Sequence, residues 1–131
     1  HMLGSQRALV VHGNDGMDEI TVTDTSEIWD LEGGDVSSYP ISPEDIGLNR
    51  SPVSALRVSS KEQSAETVRM VLEGAIGPAR DIVLINAAAA LVVADKAASL
   101  KEGIPLAAES IDSGAAARKL GNLVSLSQQL E

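Results

Sequence analysis

The stretch Arg7-Ala8-Leu9-Val10-Val11-His12-Gly13-Asn14-Asp15-Gly16-Met17-Asp18-Glu19-Ile20 decides how the chain is read. Arg7 to Val11 is an apolar, β-branched run, and such a run predicts a buried strand. It stops at His12-Gly13, where Asn14, Asp15 and Gly16 form a turn signal. Two adjacent carboxylates, Asp18 and Glu19, follow at once. In α/β proteins ligands collect at the carboxyl ends of strands. Mg²⁺ takes hard oxygen donors, usually one or two carboxylates, with water and substrate phosphates completing its shell. The pair therefore has two readings at this point, a solvated surface or a Mg²⁺ site.

Working outward, Ile20 to Thr23 alternates apolar and polar residues, which predicts a half-buried strand. Thr25 to Leu31 alternates in the same way. Glu32-Gly33-Gly34-Asp35 is a hairpin signal, with Val36 to Ile41 as the returning strand. Ser42-Pro43-Glu44-Asp45 predicts a short helix start that Gly47 ends. Leu48 to Ser60 reads as loop, with strand character around Val53 to Leu56. Ala65, Val68, Val71 and Leu72 make a helical stripe over Lys61 to Glu73, closed by Gly74. A second helix is expected from Pro78 to about Leu100, with Gly103 as its stop and Pro105 opening the next. Its middle, Ile82 to Val93, is apolar on most faces, as in a buried helix. Asn86 lies inside that run, either to bind a ligand or to tie a neighbouring backbone group. Pro105 to Ile111 and Ser113 to about Val124 read as two further helices, and Ser125 to Glu131 as a frayed end.

Composition narrows the function classes. Nineteen acidic residues against ten basic ones give a net charge of −9, which excludes nucleic-acid binding through bulk electrostatics. No cysteine is present, so disulfides and thiolate metal sites are excluded and a reducing cytoplasm is the expected compartment. The longest apolar stretch is too short to cross a bilayer, so no membrane role is expected. Trp29 and Tyr39 are the only aromatic residues, which leaves alanine, valine and leucine to fill the core.

The pattern resembles the anthranilate phosphoribosyltransferase family. The likeness runs from Leu3 to Gly13 and from Asp15 to Ile20. It continues through Ile41-Ser42-Pro43-Glu44-Asp45-Ile46-Gly47-Leu48 and Val71-Leu72-Glu73-Gly74. It resumes from Gly77 to Leu91 and closes with Ile111-Asp112-Ser113-Gly114-Ala115-Ala116. The blocks keep the family's order and spacing over nearly the whole chain. They match its carboxyl-terminal part only.

The resemblance implies an α/β fold. Residues 3–131 would be the carboxyl-terminal portion of the large α/β domain, with a mixed sheet, a β-hairpin and several packed helices. His1 and Met2 read as a cloning remnant. Family members transfer the phosphoribosyl group of phosphoribosyl pyrophosphate to anthranilate, in tryptophan biosynthesis. Asp18 and Glu19 match the family's acidic Mg²⁺ pair. His12 and Gly13 match the loop leading into it, where the histidine is expected to fix the loop by hydrogen bonding. The family's glycine-rich pyrophosphate loop, its anthranilate-contacting positions and its small helical domain have no counterpart among these residues. The chain alone is therefore expected to be inactive, and to associate or swap domains through the apolar helix and the open first strand. Two alternatives stand beside this reading: a non-catalytic folding or assembly module, and a fragment of a pyrimidine nucleoside phosphorylase-like enzyme.

Overall fold

The computed structural model describes residues 1–129. Three strands form one sheet in the order β1 (Arg7–Gly13), β2 (Ser26–Glu32), β3 (Asp35–Ile41). Four helices follow: α1 (Lys61–Leu72), α2 (Pro78–Val93), α3 (Leu100–Asp112) and α4 (Ala115–Gln129). The α/β class, the hairpin and the packed helices expected from the sequence are all present.

The sheet differs from the expected mixed one in being antiparallel at both pairings. Arg7 faces Glu32 and Gly13 faces Ser26; Ser26 faces Ile41 and Glu32 faces Asp35. Gly33 and Gly34 both take positive φ, 60° and 95°, the geometry that a two-residue hairpin needs to match strand twist. On β1, Leu9 and Val11 pack against the core while Val10 and His12 face outward.

Residues 20–23 are not a strand. They are irregular, with Ile20, Thr21 and Val22 buried and Thr23 partly so, because side chains and a distant loop satisfy the backbone groups that a ladder would otherwise pair. Ile20 N–H donates to Asn86 Oδ1 at 3.0 Å, and Thr21 N–H to Ser26 Oγ at 2.9 Å. The Val22 carbonyl accepts from the Ser51 N–H at 2.9 Å. Pro43–Ile46 is a single 3-10 turn, opened at Ser42 and closed at Gly47 as expected. Val53–Ala55 is a second 3-10 turn, held by Ala55 N–H on the Pro52 carbonyl, where strand character is expected.

α2 is the central element. One cluster packs Ile20, Val22, Ile28 and Ile46 against its Ile85, Ala88, Ala89 and Val92. A second joins its Leu84 to Val71 of α1 and to Ala107 and Ile111 of α3. Removing a fully buried side chain such as Ile28 or Ile85 from water is worth roughly 1.5–3 kcal/mol each. α1 begins where expected, with the Ser60 side chain accepting the Gln63 N–H at 3.1 Å.

Two helix boundaries depart from expectation. α2 stops at Val93, well short of Leu100, because Asp95 takes a left-handed φ of 53° and the Lys96 N–H closes on the Leu91 carbonyl at 2.8 Å. An aspartate does here what a glycine usually signals. Ser99 then caps α3, which runs through both Gly103 and Pro105. Gly103 is a packing residue and not a stop: a Cβ there would lie 2.8 Å from Ala88 Cβ and 2.9 Å from Ala88 Cα. Pro105 forfeits one helical hydrogen bond, and burial of Leu100, Gly103, Ala107 and Ile111 along α3 outweighs it. α4 starts at Ala115 and continues to Gln129, past the expected fraying point; Leu130 and Glu131 lie outside the described residues. None of the described helices is long and apolar enough to cross a membrane.

Candidate metal centre

The candidate site is the loop that leaves β1. Its shape begins with Gly13, which is buried. A Cβ at this position would sit 2.6 Å from Asp15 Oδ1 and 3.1 Å from Thr21 Cγ2, so only glycine lets the two sides of the loop close. Gly13 N–H donates to the Met17 carbonyl, Gly16 N–H to the Gly13 carbonyl and Asn14 N–H to the Thr25 carbonyl, each at 2.9 Å.

Asp15 is the loop's internal anchor. Its Oδ1 accepts the Met17 N–H at 3.1 Å, and its Oδ2 accepts the Thr21 hydroxyl at 2.6 Å and also the Thr23 hydroxyl. Burial pulls its pKa upward, but the hydrogen bonds from Thr21, Thr23 and Met17 outweigh burial and hold the carboxyl below the usual aspartate value. From the sequence Asp15 reads only as a turn residue. The hydroxyl residues six and eight positions downstream are its signal, legible only once the loop is known to fold back.

Asp18 and Glu19 follow on a bend, Asp18 exposed and Glu19 half-buried. Burial raises the Glu19 pKa, and the negative charges of Asp18 and Asp15 raise it further. Glu19 Oε2 accepts from Asn86 Nδ2 at 3.3 Å. The same amide nitrogen donates to the Ile20 carbonyl at 2.8 Å and to the Ile82 carbonyl at 2.9 Å. Of the two roles open to Asn86, backbone tying is therefore observed. Glu19 also borders an apolar cleft of about 470 Å³ between α1 and α2, with Met17, Val58, Val68 and Val83 among its walls.

His12 differs from expectation. It faces outward from β1 next to Val10, and no hydrogen bond to its side chain is found among the described residues. The loop is instead fixed by Asp15 and Asn86.

The donor set fits Mg²⁺. Two carboxylates of mutually repelling charge stand at one end of a strand, and a dication would relieve that repulsion. Among the described residues no group of three or more His, Cys, Asp or Glu side chains converges. Asp15 already accepts three hydrogen bonds within the loop, two of them on Oδ2. The rest of a Mg²⁺ shell would be water and a substrate oxygen, the arrangement this ion favours.

Residues 1–117 match the family model described as the glycosyl transferase family, a/b domain. The chain belongs to that family. It is 51% identical over 125 residues to the anthranilate phosphoribosyltransferase of Rhodopseudomonas palustris, covering 95% of this chain and 37% of that one. The crystal structure of the Thermus thermophilus anthranilate phosphoribosyltransferase superposes with a TM-score of 0.84 at 38% identity, over 95% of this chain and 36% of that chain. The Saccharomyces cerevisiae enzyme in complex with PRPP and Mg superposes with a TM-score of 0.76 at 27% identity, over 88% of this chain and 33% of that chain. The chain thus spans about a third of the length of these relatives.

Proposed function

We propose that this chain is the carboxyl-terminal portion, residues 3–131, of the large α/β domain of an anthranilate phosphoribosyltransferase, with Asp18 and Glu19 contributing to its Mg²⁺ site. The observation that carries the reading is half-identity over nearly the whole chain to an enzyme of that name, with two adjacent carboxylates on the loop after β1. A yeast neighbour is described in complex with PRPP and Mg, and another structure of that enzyme in complex with 4-fluoroanthranilate. Those ligands motivate the assignment of phosphoribosyl pyrophosphate and anthranilate as substrates. The cytoplasmic location rests on the same reading.

The transfer breaks the bond between ribose C1 and pyrophosphate and forms one from C1 to the anthranilate amine, which then loses a proton. Positive charge grows on the ribose as the anionic leaving group departs. Mg²⁺, when bound, neutralises charge on that leaving group. This chain's contribution would be to supply two carboxylate donors, Asp18 and Glu19, from a loop held in shape by Asp15 and Asn86. No nucleophile–base pair is needed for such a displacement. His12, which makes no side-chain hydrogen bond or ion pair with these carboxylates among the described residues, has no proton to move in this scheme.

The glycine-rich phosphate loop of the family is not among these residues, so the chain by itself is expected to be inactive. Incubation with anthranilate, phosphoribosyl pyrophosphate and Mg²⁺ should leave anthranilate fluorescence unchanged. Turnover that survives further purification would refute this. In the longer protein, Asp18→Ala with Glu19→Ala should raise the Mg²⁺ concentration needed for activity, and an unchanged Mg²⁺ dependence would remove the pair from the site. The two alternatives gain no specific observation from this structure.

A further inference from the structure

Asn86 stands out because its side chain makes four polar contacts, all directed at two places. Oδ1 accepts the Ile20 N–H at 3.0 Å, and Nδ2 donates to the Ile20 carbonyl at 2.8 Å. Both polar groups of one residue's backbone are thereby held by one amide, as a neighbouring strand would hold them. Ile20 directly follows Glu19, so fixing the Ile20 backbone fixes the direction in which Glu19 leaves the chain. Nδ2 also donates to the Ile82 carbonyl, on its own helix, at 2.9 Å, and reaches Glu19 Oε2 at 3.3 Å. Nδ2 carries two hydrogens for three acceptors. The Glu19 contact is the longest of the three and the one that can yield.

The amide is mounted on α2, the helix at the centre of the core. Its neighbour Ile85 is fully buried, as is Ala88, and Ile20 is itself 0% exposed. Nothing else among the described contacts restrains the Glu19 side chain by a hydrogen bond. Partners of this kind, behind the ligands of a metal site, orient the ligands and tune affinity.

We infer that Asn86 is a positioning residue for the metal pair: it clamps the Ile20 backbone, from which Glu19 leaves the chain, and its Nδ2 stands 3.3 Å from one Glu19 oxygen. This rests on the proposal that Asp18 and Glu19 bind Mg²⁺.

The test uses the 131-residue chain and Mn²⁺, an oxygen-seeking stand-in whose free form is counted by its EPR signal. The wild type should take up Mn²⁺ weakly. Asp18→Asn and Glu19→Gln should abolish uptake. Asn86→Asp keeps the acceptor for the Ile20 N–H but loses the donor to Glu19, and Asn86→Ser loses both; each should weaken uptake by about 10- to 100-fold. Should either variant fail to fold, the wild type still answers by NMR. The Asn86 side-chain amide pair should shift during a Mg²⁺ titration, and Glu19→Gln should remove that shift. A purely structural asparagine would not produce it. Loss of uptake in Asp18→Asn and Glu19→Gln, with undiminished affinity in Asn86→Asp or a stationary Asn86 amide, overturns the positioning role and leaves the metal pair standing. Uptake unaffected by Asp18→Asn and Glu19→Gln, or absent in the wild type, overturns the metal pair and the positioning role with it.

Discussion

Gly103→Ala tests how α2 and α3 are held together. Two effects oppose each other. In a helix interior alanine is favoured over glycine by about 1 kcal/mol. Against this, the added Cβ would lie 2.8 Å from Ala88 Cβ, 2.9 Å from Ala88 Cα and 3.1 Å from the Ala88 carbonyl oxygen. Those are rigid atoms of a buried helix, so the helices must separate. Overpacking of this kind costs roughly 1–3 kcal/mol, and contact with backbone places it at the upper end. The net expectation is a loss of about 2 kcal/mol. For a domain of this size that corresponds to a melting temperature lower by about 8 °C. The control is Gly121→Ala in α4, where nothing lies within 4 Å of the new methyl. Only the propensity gain acts there, and the melting temperature should rise by about 4 °C. The assay is far-UV circular dichroism on both variants at one protein concentration. A Gly103→Ala variant that melts at or above the wild type would refute close packing of α2 on α3.

Gly13→Ala should destabilise the loop and weaken any metal uptake, because its Cβ would displace the Asp15 carboxylate and press on Thr21; a wild-type melt with wild-type Mn²⁺ uptake would count against that close approach. Asp112 accepts a bidentate pair from Arg80, at 2.8 and 2.9 Å, and those bonds hold its carboxyl below the usual aspartate value. A carboxyl with a depressed native pKa stabilises above its unfolded-state value, and the gain is lost as pH falls through the native one. Asp112→Asn should therefore melt lower than the wild type at neutral pH, and the gap should close in acid below the ordinary aspartate range; a gap independent of pH would show that the charge is not what matters. The chain is also expected to associate, since Val83 on α2 is 42% exposed and Leu123 on α4 is 62% exposed. Light scattering across a concentration series should show mass above the monomer, and a monomer persisting well above micromolar concentration would refute it.

Much of this molecule was legible from residue order alone, and the legible parts share a cause. β1, the Gly33-Gly34 hairpin, the turn at Pro43 and α1 are specified by neighbours a few positions apart, through alternation, positive-φ glycines, a capping serine and a helical stripe. Asp18 and Glu19 are candidates on the same local grounds, as adjacent carboxylates after a strand and a turn. Residues 20–23 show the limit. Their alternation is real, yet the partners that decide their conformation are Asn86 and Ser51, far along the chain. Alternation reports which side chains are buried, and it cannot say whether a strand or a side-chain amide satisfies the backbone.

The helices divide in the same way. Gly103 looked like a stop because glycine usually is one, and only the approach of Ala88 shows it to be a contact point. Asp95 looked like a helix residue because few aspartates adopt left-handed φ without tertiary support. Residue order by itself determined the class of fold, the strand-turn-carboxylate motif and the acidic character of the chain, since these depend on composition and local spacing. The tertiary structure alone decided where α2 ends, why glycine stands at 103 and which amide holds the Ile20 backbone. Each of those is a contact between residues brought together by burial, and burial follows from the shape of the whole core, which no local window contains.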